Sequence, residues 1–292
     1  MIIETRRLSK NYGPVTAVKD LCLRVPAGKI SAFLGPNGHG KSTTIKMLLG
    51  MVRPTDGSGD VLGYNITNPK ESIEIRRRTA FVSEDKQLYG YMTVKQILAF
   101  TRALFPQWRA ERERELVTAF DLPLNRVVKG LSKGMRTKLA LILALARGAD
   151  LLILDEPSEG LDPVATESML QAVVRAAEEG ATVFFSSHQL SETERIADHV
   201  FILKRGQVVV EGELDELRER YRRMNAVFVG TPPLDRLPLA TFENAETDRH
   251  TLSALTKGDV DAIASEIRAA GALSVEFHPV NLRELFLQSV KE

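Results

Sequence analysis

The apolar positions mark this chain out as strands alternating with helices. Ile2 and Ile3 open a strand-like segment, Leu21–Val25 alternates, and Lys29–Leu34 runs apolar straight into a glycine-rich loop. From Thr43 to Met51, Ile45, Leu48 and Leu49 recur at helical spacing, and Gly50 and Pro54 bracket the end. Between about Thr93 and Phe120 the pattern is helical again, with Val94, Ile97, Leu98, Leu116, Val117 and Phe120 set among many charges and no good strand between them. We read this stretch as a helical insertion. Two short apolar runs, Leu151–Leu154 and Thr182–Phe185, have the length and composition of buried strands. The helix-like Val164–Glu178 separates them and stops at Gly180. Strands alternating with helices imply a parallel sheet covered on both faces.

After Val208–Val210 a charged helix is expected near Glu213–Arg223, and the rest of the chain beyond it reads as a separate small unit. Its strands would lie at Ala226–Val229, Leu252–Leu255 and Ser274–Phe277, with a helix at Val260–Ala269 that places Val260, Ile263 and Ile267 on one face. The expected organisation is a larger domain over residues 1–220, with its helical insertion at about 87–148, and a small α+β domain over 221–292.

At 292 residues and 43% hydrophobic content, the chain can bury one large core or two unequal ones. A net charge of +1 gives no overall field of the kind that draws a protein to nucleic acid, and none is expected as a partner. The arginine runs at Arg76–Arg78 and Arg218–Arg223 interleave with acids and read as solvated faces. A single cysteine, Cys22, cannot make an internal disulfide, and the first residues lack the apolar stretch of a secretory signal, so the cytoplasm is the expected location. The longest apolar run, Leu139–Ala146, is far short of the ~20 residues that cross a bilayer as a helix. If a membrane is involved, another chain crosses it.

The chemistry begins with Gly35, Pro36, Asn37, Gly38, His39, Gly40, Lys41 and Ser42, followed by Thr43, which fit G-x-x-x-x-G-K-[ST] between a buried strand and a helix. Glycines let this loop wrap closely, so that its N–H groups and the helix N-terminus face phosphates. Lys41 would reach the β/γ oxygens, and Ser42 would offer its hydroxyl to Mg²⁺. Asp155 and Glu156 leave the carboxyl end of an apolar strand, the edge where ligands bind in open α/β sheets. Asp155 is placed to hold Mg²⁺ or its waters, and Glu156 to polarise the water that attacks the γ-phosphate. His188 emerges from the next strand at the same edge, where it could contact the γ-phosphate as a catalytic residue, although a lone histidine there is more often structural.

Taken together, Gly35–Ser42, Leu131–Met135, Asp155–Pro157, Gly160–Pro163 and Ser187–His188 resemble the ABC-transporter nucleotide-binding domain in order and spacing, over residues 1 to about 215. The resemblance implies a P-loop NTPase core with a mostly parallel sheet, an antiparallel β subdomain and the helical insertion. It implies that Tyr12 stacks on adenine, that Ser132 and Gly134 close over the γ-phosphate from an opposing subunit, and that the loop at Asp162 links the two sites. It also implies a homodimer, or a heterodimer with a related subunit, around two ATP. That dimer would work against transmembrane permease chains at the inner face of the cell membrane, with a likeness to bacterial exporters.

Three positions depart from the family pattern. Glu84 stands where glutamine is usual; its carboxylate can still coordinate Mg²⁺ but responds differently to loss of the γ-phosphate. The signature reads Leu-Ser-Lys-Gly-Met, keeping Ser132 and Gly134 without the terminal amide. His39 replaces a small residue and should point away from the phosphates.

Other patterns are weaker. Gly130–Gly134 also fits a nucleophile elbow, with Asp162 and His188 downstream, but a poor strand precedes Ser132. Gly57–Gly63 nearly spells a dinucleotide fingerprint but reads better as a turn into a strand. The histidines and the cysteine never gather at metal-ligand spacing. The competing function is a soluble ABC-type ATPase acting on nucleic acid or the ribosome. Against it stand the near-neutral charge and the single nucleotide-binding motif set.

Overall fold

The computed structural model describes residues 1–234, 237 and 242–290. The chain forms two compact units, Met1–Val208 and Val209–Glu292. Within the first unit the strands and helices run β1 (Ile3–Tyr12), β2 (Val15–Leu21), β3 (Arg24–Val25), β4 (Ile30–Leu34), α1 (Lys41–Leu48), β5 (Asp56–Val61), β6 (Tyr64–Asn65), α2 (Pro69–Arg78) and β7 (Thr79–Val82). They continue as α3 (Val94–Leu104), α4 (Ala110–Ala119), α5 (Lys133–Leu145), β8 (Leu151–Asp155), α6 (Pro163–Glu178), β9 (Thr182–Ser187), α7 (Leu190–Ile196) and β10 (His199–Lys204).

Two sheets divide these strands. β2, β1, β5 and β6 form an antiparallel sheet, with β3 paired to β1. In the other sheet the order β10-β4-β9-β8-β7 is parallel throughout. β4, β8 and β9 are buried at every position, which is why they read as unbroken apolar runs rather than alternating ones. Phe33, Phe184 and Phe201 stack through neighbouring strands at ring distances of 5.2 and 6.4 Å, and Ile45, Leu48, Leu151 and Ile153 fill the space around them. The strand β11 (Gln207–Glu213) leaves this edge after a two-residue turn at Arg205 and Gly206, both with positive φ, the backbone that a tight hairpin needs.

The expected helical insertion consists of α3, α4, a short 3₁₀ turn at Val128–Gly130, and α5. Thr93 starts α3 with a reciprocal cap: its hydroxyl accepts from the Gln96 N–H, and the Gln96 side chain accepts from the Thr93 N–H. The 3₁₀ turn, not a strand, precedes Ser132, and this removes the nucleophile-elbow reading. Gly57–Gly63 lies in β5 and the turn into β6, with no helix after it, so the dinucleotide reading also goes.

The second unit carries α8 (Leu214–Arg220), β12 (Tyr221–Phe228), β13 (Phe242–Asp248), β14 (Thr251–Lys257), α9 (Val260–Ala269), β15 (Ala272–Pro279) and α10 (Leu282–Val290). Its strands form an antiparallel sheet in the order β13-β14-β12-β15. The core holds Met224, Ala226, Phe228, Leu252, Ala254, Ile263 and Ile267. The division between the units falls at Val208/Val209, where the sequence pattern suggests about residue 220. The charged helix is the reason, since Leu214 and Leu217 are buried and α8 packs on β12. That helix also ends earlier than its charges suggest, because Tyr221 and Met224 are buried as strand residues of β12. Of the α2 arginines, Arg77 and Arg78 are exposed as expected, while two of the three also make ties beyond the helix. Arg76 donates to the Leu49 carbonyl at 3.0 Å, and Arg78 pairs with Asp150 at 2.7 Å.

Candidate nucleotide site

Four parallel strands deliver their carboxyl ends to one place. β4 runs into the loop at Gly35–Gly40, β7 leads to Glu84, β8 ends in Asp155 and Glu156, and β9 leads to His188. Asn37, Gly38, Gly40, Lys41, Ser42, Thr43, Glu84, Asp155 and Glu156, with Ala17 from β2, line one cavity of ≈ 310 Å³. α1 begins there without a side-chain cap, so its first N–H groups have no partner within the helix and offer a positive end to an anion.

Gly40 precedes α1 at φ 98°, and a Cβ there would run into the Ala17 carbonyl oxygen. Both conditions demand glycine. Gly40→Ala is therefore expected to abolish nucleotide binding while lowering the melting temperature by only several degrees, read by fluorescent-nucleotide titration beside a thermal melt. Gly35 is held as tightly, since a Cβ would lie 2.8 Å from the Leu203 carbonyl oxygen.

The Lys41 ammonium is buried and donates to the Gly35 carbonyl at 2.7 Å and to the Pro36 carbonyl at 3.4 Å, with Glu156 Oε1 at 3.9 Å. His39 accepts the Arg205 N–H through Nδ1 at 3.2 Å and does not line the cavity. Ser186 fixes both acids. Its hydroxyl donates to Asp155 Oδ1 at 2.5 Å and accepts the Glu156 N–H at 3.1 Å, as the pairing of Asp155 with Ser186 across β8 and β9 allows. Glu156 has φ 49°, a left-handed backbone that costs a β-carbon-bearing residue about 1–3 kcal/mol and is kept where its surroundings enforce it. Its Oε2 accepts from His188 Nδ1 at 2.7 Å. Its Oε1 is buried and makes no hydrogen bond, although Lys41 lies near.

The remaining sequence candidates stand elsewhere in the unit. Tyr12 ends β1 and is 48% exposed. Ser132 caps α5 by accepting the Met135 N–H at 3.2 Å, and His188 Nδ1 pairs with Glu156. Asp162 caps α6; the Ala165 N–H is the chief reason that its carboxyl sits below the usual range, with Lys138 assisting. At Gly134 a Cβ would press into the Gly160 carbonyl oxygen, so the start of α5 lies directly on the loop that follows Glu156. None of these four lines the cavity of their own chain.

Two residues here escaped the sequence reading. Ser186 could have been found from the alignment of two apolar strands ending in polar residues. Lys86 had no signal, because Glu-Asp-Lys-Gln reads as a solvated turn. Its ammonium is nonetheless buried, donating to the Glu156 carbonyl at 3.0 Å with Glu159 Oε2 at 3.9 Å. Burial lowers its pKa, against the pull of the Glu159 and Asp155 carboxylates. Glu159 in turn accepts from Lys133 at 2.5 Å, which holds the Glu159 carboxyl below its ordinary range.

For a divalent cation, the cavity offers hard oxygen donors from Ser42, Asp155 and Glu84. Among the described residues no cluster of three histidines, cysteines or acids could hold a metal by itself. The donor set therefore suits a Mg²⁺ that arrives on phosphate oxygens and keeps part of its water shell.

The family described as ABC transporter matches residues 18–159. The bacitracin transport ATP-binding protein BcrA of Bacillus licheniformis is 36% identical over 225 residues, which make up 76% of this chain and 73% of that protein. The daunorubicin resistance ATP-binding protein DrrA3 of Streptomyces coeruleorubidus is 31% identical over 293 residues, covering 96% of this chain and 92% of that protein. Among solved structures, an ATP-binding subunit of an ABC transporter aligns with a TM-score of 0.68 at 32% identity, over 75% of this chain and 92% of its own. A dimeric bacterial ABC transporter cassette aligns with a TM-score of 0.64 at 27% identity, over 73% and 98%.

Proposed function

Since the chain belongs to the ABC transporter family as an ATP-binding, ATP-hydrolysing subunit, we propose that it closes as a dimer around two ATP and drives a separate permease that exports its cargo. The observation that carries the catalytic part is the unpartnered, buried Oε1 of Glu156 beside Lys41. A carboxylate oxygen with no hydrogen-bond donor, held by a backbone that does not turn freely, is a base for a water placed between it and the γ-phosphate. His188 holds the other oxygen and so orients the group. Lys41 and the N–H groups at the start of α1 would take the β- and γ-phosphates, Thr43 would line the phosphate end, and Tyr12 would stack on the adenine. Mg²⁺, bound with the nucleotide through Ser42, Asp155 and Glu84, would neutralise charge developing between the β- and γ-phosphates.

Dimer formation is supported by the placement of Ser132 and Gly134 outside their own chain's cavity, at a helix start suited to an anion on a second copy or a related subunit. No helix of the described residues is long and apolar enough to cross a membrane, so the permease would be another chain, with this one held at the inner membrane face. Export as the direction is supported by the names of relatives given to bacitracin transport and daunorubicin resistance. Analytical ultracentrifugation with a non-hydrolysable ATP analogue and Mg²⁺ tests the dimer. A nucleotide-dependent dimer of this subunit, alone or with a related one, is expected; a monomer at every nucleotide concentration and with every such partner refutes it.

A further inference from the structure

Glu84 and Asp85 lie in the loop after β7, and Asp155, Glu156 and Glu159 lie at and just after the end of β8. Lys86, in the first of these loops, has a side chain only 3% exposed. Its ammonium donates to the backbone carbonyl of Glu156 at 3.0 Å and lies 3.9 Å from the carboxylate of Glu159. The Glu156 peptide is the one that must be held, because φ 49° is a conformation from which a glutamate relaxes unless its neighbours oppose it. Ser186 restrains the amide side of Glu156 and Lys86 the carbonyl side, so the residue is gripped at both ends of its backbone while its carboxylate is aimed by His188. Lys86 itself is held in left-handed backbone, φ 44°, in the loop after β7.

Resting on the reading of Glu156 as the base, we propose that Lys86 is a positioning residue for hydrolysis: its buried ammonium fixes the Glu156 carbonyl and so keeps the carboxylate aimed at the attacking water. Lys86 does not line the nucleotide cavity, so its removal should spare nucleotide binding. It lines instead the groove between the end of β7 and the helices α3 and α5, with Gln87, Leu88 and Thr101.

The test is steady-state ATP turnover and nucleotide affinity for the wild type, Lys86→Met, Lys86→Arg and Glu156→Gln, with a thermal melt for each. Lys86→Met is expected to lower kcat about 30- to 100-fold, the scale of a misplacement of about 1 Å at a catalytic group. KM and ATP affinity should stay within about threefold, because the groups that bind phosphate are untouched. Lys86→Arg, which keeps the donor, should recover most of that loss. If Glu156→Gln stops turnover while Lys86→Met turns over within about threefold of the wild type, the proposal is overturned and the base assignment stands. Parallel loss of ATP affinity and kcat in Lys86→Met would overturn it as well, by making the lysine a support of the fold. If Glu156→Gln itself turns over freely, the reading on which the proposal rests has failed.

Discussion

Glu156→Gln is expected to stop ATP turnover and to leave ATP binding intact. The glutamine amide has the same shape, can still accept from His188 Nδ1, and keeps the left-handed turn gripped by Ser186 and Lys86. What it loses is basicity at Oε1, the buried oxygen without a hydrogen-bond partner. A general base contributes about 10²–10⁴ in rate, so phosphate release with Mg²⁺ should fall by about a hundred- to ten-thousandfold. Because Glu156 is not a phosphate ligand in this account, the dissociation constant for ATP should move by no more than a few fold. The variant should also persist as a closed dimer in ATP, since hydrolysis is the step that removes the γ-phosphate contacts. A coupled-phosphate assay and equilibrium binding on the same preparation separate the two effects.

At Lys41→Met, binding and turnover are expected to fall together. Its ammonium rests on the Gly35 and Pro36 carbonyls, from which β- and γ-phosphate oxygens would take it over. Charge-assisted hydrogen bonds are worth about 1.5–3 kcal/mol each, so losing two should weaken ATP binding by at least about 10²-fold. Methionine also leaves Glu156 Oε1 buried without the cation now 3.9 Å away, a further cost that phosphate repulsion would raise. ATP titration should show little binding at concentrations that saturate the wild type, and turnover should vanish with it. Loss of turnover with normal affinity would instead place Lys41 outside ground-state phosphate binding.

The parts of this molecule visible in its sequence are those in which one residue type has one physical solution. Buried parallel strands must be apolar at every position, so β4, β8 and β9 are plain. α6 begins at Asp162 and Pro163 because a carboxylate accepts the free N–H groups of its first turn, and proline has none to lose. The strand β13 was hidden by its composition: Phe-Glu-Asn-Ala-Glu-Thr-Asp at a sheet edge has little apolar periodicity. α2 was hidden because Asn68 and Pro69 start a helix whose body is mostly charged, with little beyond Ser72 and Ile75 buried.

At the site, the residues of the glycine loop and the acids after β8 were legible, because motif and strand end coincide. Lys86 was not, since its burial depends on the loop after β7 meeting the loop after β8, two segments about seventy residues apart with no shared pattern. The positive φ of Glu156 was equally invisible, being imposed by Ser186 and Lys86 rather than by its own side chain. The same holds for the latch at the start of α5. Lys133, which departs from the family pattern, gains a partner in Glu159, and Thr137 donates to the Glu159 carbonyl at 3.0 Å.

We propose that this subunit works on a membrane-spanning partner through an ATP-closed dimer. The most direct test of this holds the Glu156→Gln protein with ATP and Mg²⁺ in detergent-solubilised cells of its source, captures it by an affinity tag, and identifies by mass spectrometry what is enriched over an ATP-free control. One or two polytopic membrane proteins are expected, stoichiometric with the dimer and absent when the same capture is made with Lys41→Met. Ribosomal proteins or nucleic acid in their place, dependent on ATP in the same way, would contradict it.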